Sequence, residues 1–254
     1  MIQITSSANP QFRLWKSLLS SKGLKKEGLL LLSGEKLVRE ALRDQHLQIQ
    51  AEILDTRTEP ITGLRQVFRL PQDLFDELDE LGTHFPLLLV KAPLIPDWDP
   101  HSLTQGLEVF CPLGDPQNLG ALLRSAEAFG VRKVVLLEEA AHPFLPKSIK
   151  AASGSCLRLK LEKGPSLTDL KGKFTVLDLK GQALPTYQWP RTVRLLIGEE
   201  GPGLKKLGTS VAQEMLCIPM AAGVESLNAG VASSIALFHY RLQYPRSILS
   251  SSGS

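Results

Sequence analysis

The sequence lacks the features that mark several large classes of protein. Its 254 residues include only three cysteines, Cys111, Cys156 and Cys217, which are widely spaced within apolar runs. Such an odd and scattered set favours neither a disulfide framework nor a cysteine-rich zinc site, and we expect reduced core cysteines in a reducing compartment. No stretch holds the ~18 to 20 apolar residues of a membrane span, so we expect no membrane partner.

Familiar ligand-binding motifs are missing as well. Residues 198–205 read GEEGPGLK, which approaches a phosphate-binding P-loop but lacks its Gly-Lys-Ser/Thr ending. No G-x-G-x-x-G pattern follows a predicted strand, and no G-x-S-x-G nucleophile elbow is present. The 5 histidines have no zinc-ligand spacing, so we expect no metal.

Basic charge is gathered in two places, although the formal net charge is only +3. The segment 147–173 has seven basic residues against two acids, and the first 26 residues have five basic residues and no acid. The five are Arg13, Lys16, Lys22, Lys25 and Lys26. A solvated surface would explain either patch alone, but together they favour binding to a phosphate backbone, and we interpret the five as RNA-binding residues.

The basic N-terminus has a second interpretation, because it also resembles an organellar presequence. However, Phe12, Trp15, Leu18 and Leu19 form an apolar stripe that leads directly into the first predicted strand. We therefore interpret it as the first helix of a domain and expect a cytoplasmic protein, with a mitochondrial location as the alternative.

The pattern of the chain predicts two α/β domains joined by a linker. Residues 1–95 predict a small domain without a catalytic constellation, beginning with a helix from Asn9 to about Ser21. The proline-rich segment 96–105 is the predicted linker. From 106 to 245 strands and helices alternate, which predicts a mostly parallel sheet with helices on its faces. We expect the tail, 246–254, to be disordered.

Three loops rich in glycine, proline and polar residues follow predicted strands of the second domain, at 113–120, 198–204 and 220–228. Ligands bind at the carboxyl ends of strands in such sheets, so we expect the three loops to form a site. The last loop leads into a predicted helix, 226–243, which starts with Ser226 and Asn228 and is rich in small residues. The plain interpretation is a helix N-cap and a tightly packed core helix; the alternative is a ligand held at the helix N-terminus.

Three segments carry a resemblance to a known family. They are Asn118-Leu-Gly-Ala-Leu-Leu-Arg-Ser-Ala, Gly198-Glu-Glu-Gly-Pro-Gly-Leu, and Ile218-Pro-Met with the later Glu225-Ser-Leu-Asn. In order and spacing they resemble the motifs of the SpoU (TrmH) RNA ribose methyltransferases of the SPOUT superfamily. The N-terminal segments around Asn9-Pro10 and Gly34-Glu35 resemble the RNA substrate-binding domain of many members.

The resemblance implies a knotted α/β methyltransferase domain, a homodimer, and 2′-O-methylation of a ribose in RNA with S-adenosylmethionine as cofactor. It implies catalytic residues at Asn118, Arg124, Glu200, Ser226 and Asn228. It implies cofactor-binding residues at Gly198, Gly203, Ile218 and Leu227. Glu199 departs from the family, which often has asparagine there, and this second acid either alters the local electrostatics or points to solvent.

The chemistry suits these residue types. The planar guanidinium of Arg124 can grip a phosphate at two points, whereas it makes a poor proton acceptor because it stays protonated. The proton acceptor is therefore left open. Two other classes are a non-catalytic RNA-binding homologue, which a broken motif would mark, and a nucleotide-binding module without RNA, which would leave the basic patches unexplained. An N-terminal substrate domain favours ribosomal RNA over transfer RNA.

Overall fold

A computed structural model describes residues 1–198 and 212–245 of the chain. The chain divides into two compact units, one made of 1–94 with 142–154 and the other of 95–141 with the chain from 155 onward. The predicted site residues Glu200 and Gly203 and the predicted disordered tail, 246–254, lie outside the described residues.

The first unit contains a mixed five-stranded sheet. Its strands are β1 (Ile2–Gln3), β2 (Leu29–Leu32), β3 (Ile49–Asp55), β4 (Val67–Leu70) and β5 (Leu87–Lys91). They lie in the order β1-β4-β3-β5-β2, with β1, β4 and β3 parallel and β5 antiparallel to both of its neighbours. Four helices of this unit precede or separate the strands: α1 (Pro10–Ser17), α2 (Ser21–Glu27), α3 (Glu35–Arg43) and α4 (Gln72–Leu78).

The single helix predicted from Asn9 to about Ser21 is two helices in the structure. Asn9 caps α1 by accepting a 2.8 Å hydrogen bond from the N–H of Gln11, and Ser20 starts α2 by accepting one of 3.2 Å from the N–H of Gly23. A Cβ atom at Gly23 would lie 2.0 Å from the carbonyl oxygen of Ser17, so only glycine allows the two helices to meet there. Because Ser20 has the extended backbone of an N-cap, α1 cannot continue through it into α2.

The second unit contains a six-stranded sheet whose pairs are all parallel, as the alternating pattern predicts. Its strands are β6 (Leu107–Cys111), β7 (Lys133–Leu136), β8 (Leu161–Lys163), β9 (Phe174–Ala183), β10 (Val193–Leu196) and β11 (Ala212–Cys217). They lie in the order β11-β9-β10-β6-β7-β8. Helices α5 (Pro116–Ala128) and α7 (Ala229–Gln243) belong to the same unit, and the predicted knot stays a prediction.

The segment from 142 to 161 differs from the sequence-based prediction. A short helix, α6 (Pro146–Ala152), was not predicted and groups with the first unit. The apolar residues of 156–161 predict a strand there, but Ser155–Leu157 forms a 3₁₀ turn and the strand β8 begins only at Leu161. Glu127 of α5 explains the turn: its carboxylate accepts hydrogen bonds from Ser155 Oγ at 2.6 Å and from Arg158 Nε at 2.6 Å. These bonds hold the stretch against α5 instead of in the sheet.

Helices α5 and α7 run side by side in the same direction. Their contacts follow one order along both helices, with Asn118 on Asn228, then Ser125 Oγ on Ser234 Oγ at 2.7 Å, then Phe129 beside Phe238. The buried face of α7 is built from Ala229, Gly230, Ser233, Ala236, Leu237 and Tyr240. Two small residues of α7 face α5 of the same chain: Ser234 bonds Ser125, and a Cβ atom at Gly230 would lie 3.7 Å from that of Ala121.

The cysteines behave as buried or partly buried thiols. Cys111 and Cys156 are buried, and Cys217 is partly exposed. Burial raises the pKa of the Cys156 thiol to about 12, which leaves it protonated and unreactive at neutral pH.

Candidate active site

A cavity of about 260 Å³ opens beside β9, beyond the carboxyl ends of β10 and β11, and against the first turns of α7. It is bounded by Leu177, Asp178, Leu179, Ile197, Gly198, Leu216, Ile218, Met220, Ser226, Leu227, Ala229, Ala232 and Ser233. The lining includes three of the predicted cofactor-binding residues, Gly198, Ile218 and Leu227, and the predicted catalytic Ser226. This edge of the parallel sheet is the one at which the loops are expected to meet.

The walls of this cavity are mainly aliphatic, and α7 contributes small side chains. Because the side chains of Ala229 and Ala232 are small, a flat ligand can lie close to the backbone of α7. Gly198 has no side chain to shield its own main chain. Asp178 is the one ionisable residue among the described residues that line the cavity. The arrangement suits a ligand with an apolar ring and polar groups that reach the backbone.

Asn228 joins two helices at this edge of the sheet. Its Oδ1 caps α7 by accepting hydrogen bonds from the N–H groups of Gly230 at 2.9 Å and Val231 at 3.2 Å. Its Nδ2 donates to Oδ1 of Asn118, in the first turn of α5, at 2.9 Å. The predicted N-cap is therefore confirmed. The same residue also ties the first predicted motif to the third, which lies 110 positions further along the chain.

Asp115 is a residue of this region that the sequence analysis did not single out. Its Oδ1 accepts hydrogen bonds from the N–H groups of Gln117 at 2.9 Å and Asn118 at 2.8 Å, which fixes the start of α5 and the position of Asn118. The sequence does indicate this helix start, because an aspartate followed by a proline is typical of an N-cap and the first helical position.

Arg124 lies on the exposed face of α5 and does not line the cavity. Gln117, Ala121 and Ala128 are exposed on the same face, at the three- and four-residue spacing of one side of a helix. Within the described parts of the chain, no ion pair is formed by its guanidinium. The structure thus brings Asn118 and Asn228 into contact and places Ser226 in the lining of the cavity. Arg124 is exposed and lies outside that lining.

The predicted RNA-binding residues are all exposed on α1 and α2 of the first unit. Lys16 forms an ion pair with Glu77, and Lys26 one with Glu27 at 3.0 Å. Lys22 and Lys25 form none with any described residue. Arg13 on α1 forms none with a described residue either, so unpaired basic side chains lie on both helices.

The described residues contain neither a metal-ion cluster nor a membrane-spanning helix. No group of three or more His, Cys, Asp or Glu side chains within 1–198 and 212–245 is arranged to hold a metal ion. No helix in those ranges is long and apolar enough to cross a membrane.

Comparison with known families defines the class of the protein. The model of the SpoU rRNA Methylase family matches residues 109–238, which is half of the chain and includes α5, the residues that line the cavity and the first part of α7. The chain belongs to this family.

Individual relatives extend the likeness to almost the whole chain. A protein of Syntrophobacter fumaroxidans named ribosomal RNA small subunit methyltransferase G 2 is 39% identical over 93% of this chain, but the chain spans only 48% of that protein. The Bacillus subtilis 23S rRNA (guanosine(2553)-2′-O)-methyltransferase RlmP is 29% identical over 95% of this chain and all of its own length. The SpoU methyltransferase AviRb of Streptomyces viridochromogenes, solved with AdoMet, shares the fold, with a TM-score of 0.79 at 23% identity over 94% of this chain and 99% of that one.

Proposed function

We propose that this protein is an S-adenosylmethionine-dependent RNA 2′-O-methyltransferase that acts on ribosomal RNA in preference to transfer RNA. One observation carries the proposal: segments around 118, 198, 218 and 226–228 meet at one edge of the parallel sheet, around a cavity and the Asn118–Asn228 hydrogen bond. Membership of the SpoU rRNA Methylase family supports the reaction. The Bacillus subtilis relative, named for 2′-O-methylation of 23S rRNA, supports the choice of RNA.

The residues of the cavity fit S-adenosylmethionine. Leu216, Ile218 and Leu227 offer an apolar wall to an adenine ring, and the main chain at Gly198 is open to its polar edge. The bound cofactor supplies a methyl group on a positively charged sulfur. The protein's part is then to bring a ribose hydroxyl into line with that methyl group, which can provide much of the rate.

Asn118, Ser226 and Asn228 are the residues we assign to holding the ribose. The amide oxygen of Asn118 accepts a hydrogen bond from Asn228. The amide nitrogen of Asn118 has no hydrogen-bond partner among the described residues, so it can donate to an oxygen of the RNA. The parallel helices α5 and α7 both begin here, and helix N-termini favour phosphate. Arg124 would grip a neighbouring phosphate at two points. Glu200 and Gly203 complete the proposed site.

We further propose a homodimer formed through the outer face of α7. Val231, Ile235, Phe238 and Leu242 recur at the spacing of one helix face and are between 37% and 59% exposed. Four large apolar side chains in a row are unusual on a free surface and are typical of a protein interface. Arg124, on the exposed face of the adjacent α5, would then lie near the second copy.

The first unit is proposed to bind the RNA substrate through α1 and α2.

Two measurements on the full chain test the function. Calorimetry should show S-adenosylmethionine binding, and mapping of 2′-O-methyl groups in total RNA should reveal a site, expected in ribosomal RNA, that disappears without the active protein. A non-catalytic RNA-binding homologue would bind RNA yet leave the methylation map unchanged. Absence of cofactor binding by the folded protein would contradict the proposal at its first step.

A further inference from the structure

We propose that Asp178 makes the cavity selective for a positively charged ligand, so that the cationic methyl donor binds in preference to the product left after transfer. This inference rests on the proposed function. Among the described residues around the cavity, the others are aliphatic, methionine, glycine or serine, and Asp178 alone can carry charge. A carboxylate beside such walls is costly unless a cation or hydrogen-bond donors compensate it.

The backbone around Asp178 departs from regular strand pairing. Strand β9 leaves its pairing with β11 after Val176 and resumes it at Gln182, so residues 177–181 form a bulge at the cavity. Gly181 fixes the end of this bulge, because a Cβ atom there would lie 2.4 Å from the backbone of Met215 and Leu216. Any larger residue would push the bulge away from β11.

One oxygen of the Asp178 carboxylate also takes part in this bulge. Its Oδ1 accepts a 2.9 Å hydrogen bond from the backbone N–H of Lys180. For Oδ2, the structure shows no hydrogen bond or ion pair with a described residue. One oxygen of the Asp178 carboxylate is thus fixed by the backbone. The other oxygen can accept a hydrogen bond from a ligand, and the negative charge can attract a positively charged one.

The proposed methyl donor and its product differ in the charge on sulfur, and Asp178 would interact with that charge. Transfer moves the methyl group from the sulfonium to the ribose oxygen; the electron pair of the broken carbon–sulfur bond stays on sulfur, which becomes a neutral thioether. The hydroxyl proton leaves to a base. A nearby carboxylate therefore stabilises the bound donor and not the sulfur of the product, and apolar walls screen this attraction less than water does. Product release is favoured by the same difference.

Calorimetry on the full chain with S-adenosylmethionine and, separately, S-adenosylhomocysteine tests the inference without requiring turnover. Asp178→Asn keeps an oxygen that can accept from the Lys180 N–H but removes the charge, whereas Asp178→Ala removes both. Glu138→Gln is the matched control, since Glu138 is an exposed carboxylate in the same unit that does not line the cavity. We expect Asp178→Asn to weaken binding of the sulfonium ligand roughly tenfold and of the thioether by about twofold or less.

The outcomes separate this inference from the proposed function. Equal losses for both ligands in Asp178→Asn, or no loss for either, would overturn the role of the charge while leaving cofactor binding intact. Larger losses for both ligands in Asp178→Ala than in Asp178→Asn would support the structural part of the argument, the anchoring by Lys180. If the unaltered protein binds neither ligand, the proposed function itself fails.

Discussion

The amide nitrogen of Asn228 donates a 2.9 Å hydrogen bond to the amide oxygen of Asn118, which ties the N-cap of α7 to the first turn of α5. Asn228→Ala removes this bond and the cap, and we expect it to lower the free energy of unfolding by about 1 to 2 kcal/mol. Asn228→Asp keeps a capping oxygen but cannot donate to Asn118, so it should stay closer to the original stability. Urea unfolding measures both.

Methyl transfer distinguishes a positioning role of this pair from a structural one. If Asn228 orients the Asn118 amide toward the ribose, both variants should lose transfer, although only Asn228→Ala loses the cap. Single-turnover methylation of the RNA target is the measurement. Full transfer by Asn228→Asp would show that the hydrogen bond to Asn118 serves stability alone.

The carboxylate of Glu127 gives a pH-dependent contribution to stability. The hydrogen bond from Arg158 holds the pKa of Glu127 below its usual 4.5, against the opposing effect of burial, with a further lowering by Ser155. Because the folded state has the lower pKa, this contribution is complete above pH 4.5 and is lost as the pH falls through the lowered value.

The test of this pH dependence is the stability difference between the unaltered protein and Glu127→Gln. We expect the variant to be less stable at pH 7 and the difference to shrink as the pH falls below 4.5. Urea unfolding across this range measures it, with the exposed Glu138→Gln as the control. A difference that is the same at pH 7 and at pH 3.5 would contradict the assigned cause.

Much of the second unit could be predicted from sequence because several of its strands are short, mainly apolar runs, such as LEVFC in β6 and KVVL in β7. The run Leu107–Cys111, between Gly106 and Pro112, predicts a strand with the bounds that β6 has, and all five of its residues are buried. The candidate site was located from its glycine-rich loops and from a family resemblance. The Asn118–Asn228 bond was beyond sequence reasoning, because periodicity does not show which helices become neighbours.

The misses have local causes. Strand β1, Ile2–Gln3, is too short to show any period and exists through its pairing with Phe68 and Arg69 of β4. Helix α6 is a seven-residue helix whose side chains show little periodicity. Asp178 was overlooked because a single acid within an apolar strand has no pattern to set it apart.

The exposed apolar face of α7 leads to a prediction about assembly. We expect the unaltered protein to be a dimer. The double variant Phe238→Lys with Leu242→Lys should be a monomer, because lysine cannot be buried in the interface without a large desolvation cost. Leu103→Lys is the control, since Leu103 is 86% exposed and lies elsewhere in the same unit. Sedimentation at micromolar concentration measures the state. A fully active monomer of the unaltered protein would end the proposal.

The lysines of α2 are predicted to bind the RNA backbone. Reversing Lys22, Lys25 and Lys26 to glutamate should weaken RNA binding and reduce its salt dependence by roughly one slope unit per lost phosphate contact. Cofactor affinity should not change. Lys16→Gln is the control, because Lys16 is already paired with Glu77 and should contribute less. An unchanged salt slope in the triple variant would show that these lysines are merely solvated.

Arg124 offers the sharpest test of the mechanism, because it is exposed and forms no ion pair with a described residue. A surface arginine of this kind can usually be replaced with little effect on stability. If its guanidinium instead grips a phosphate beside the reacting ribose, Arg124→Ala should lose transfer by roughly 100- to 1000-fold, or about 3 to 4 kcal/mol, while the fold, the dimer and cofactor affinity stay near normal.

The conservative variant decides between charge and geometry at this position. Arg124→Lys keeps the positive charge but loses the planar two-point contact, so we expect it to fail almost as badly as Arg124→Ala. Single-turnover methylation, with cofactor binding measured in parallel, separates this outcome from a loss of cofactor. Near-normal turnover by Arg124→Lys would mean that only charge is required there, and the two-point grip would have to be abandoned.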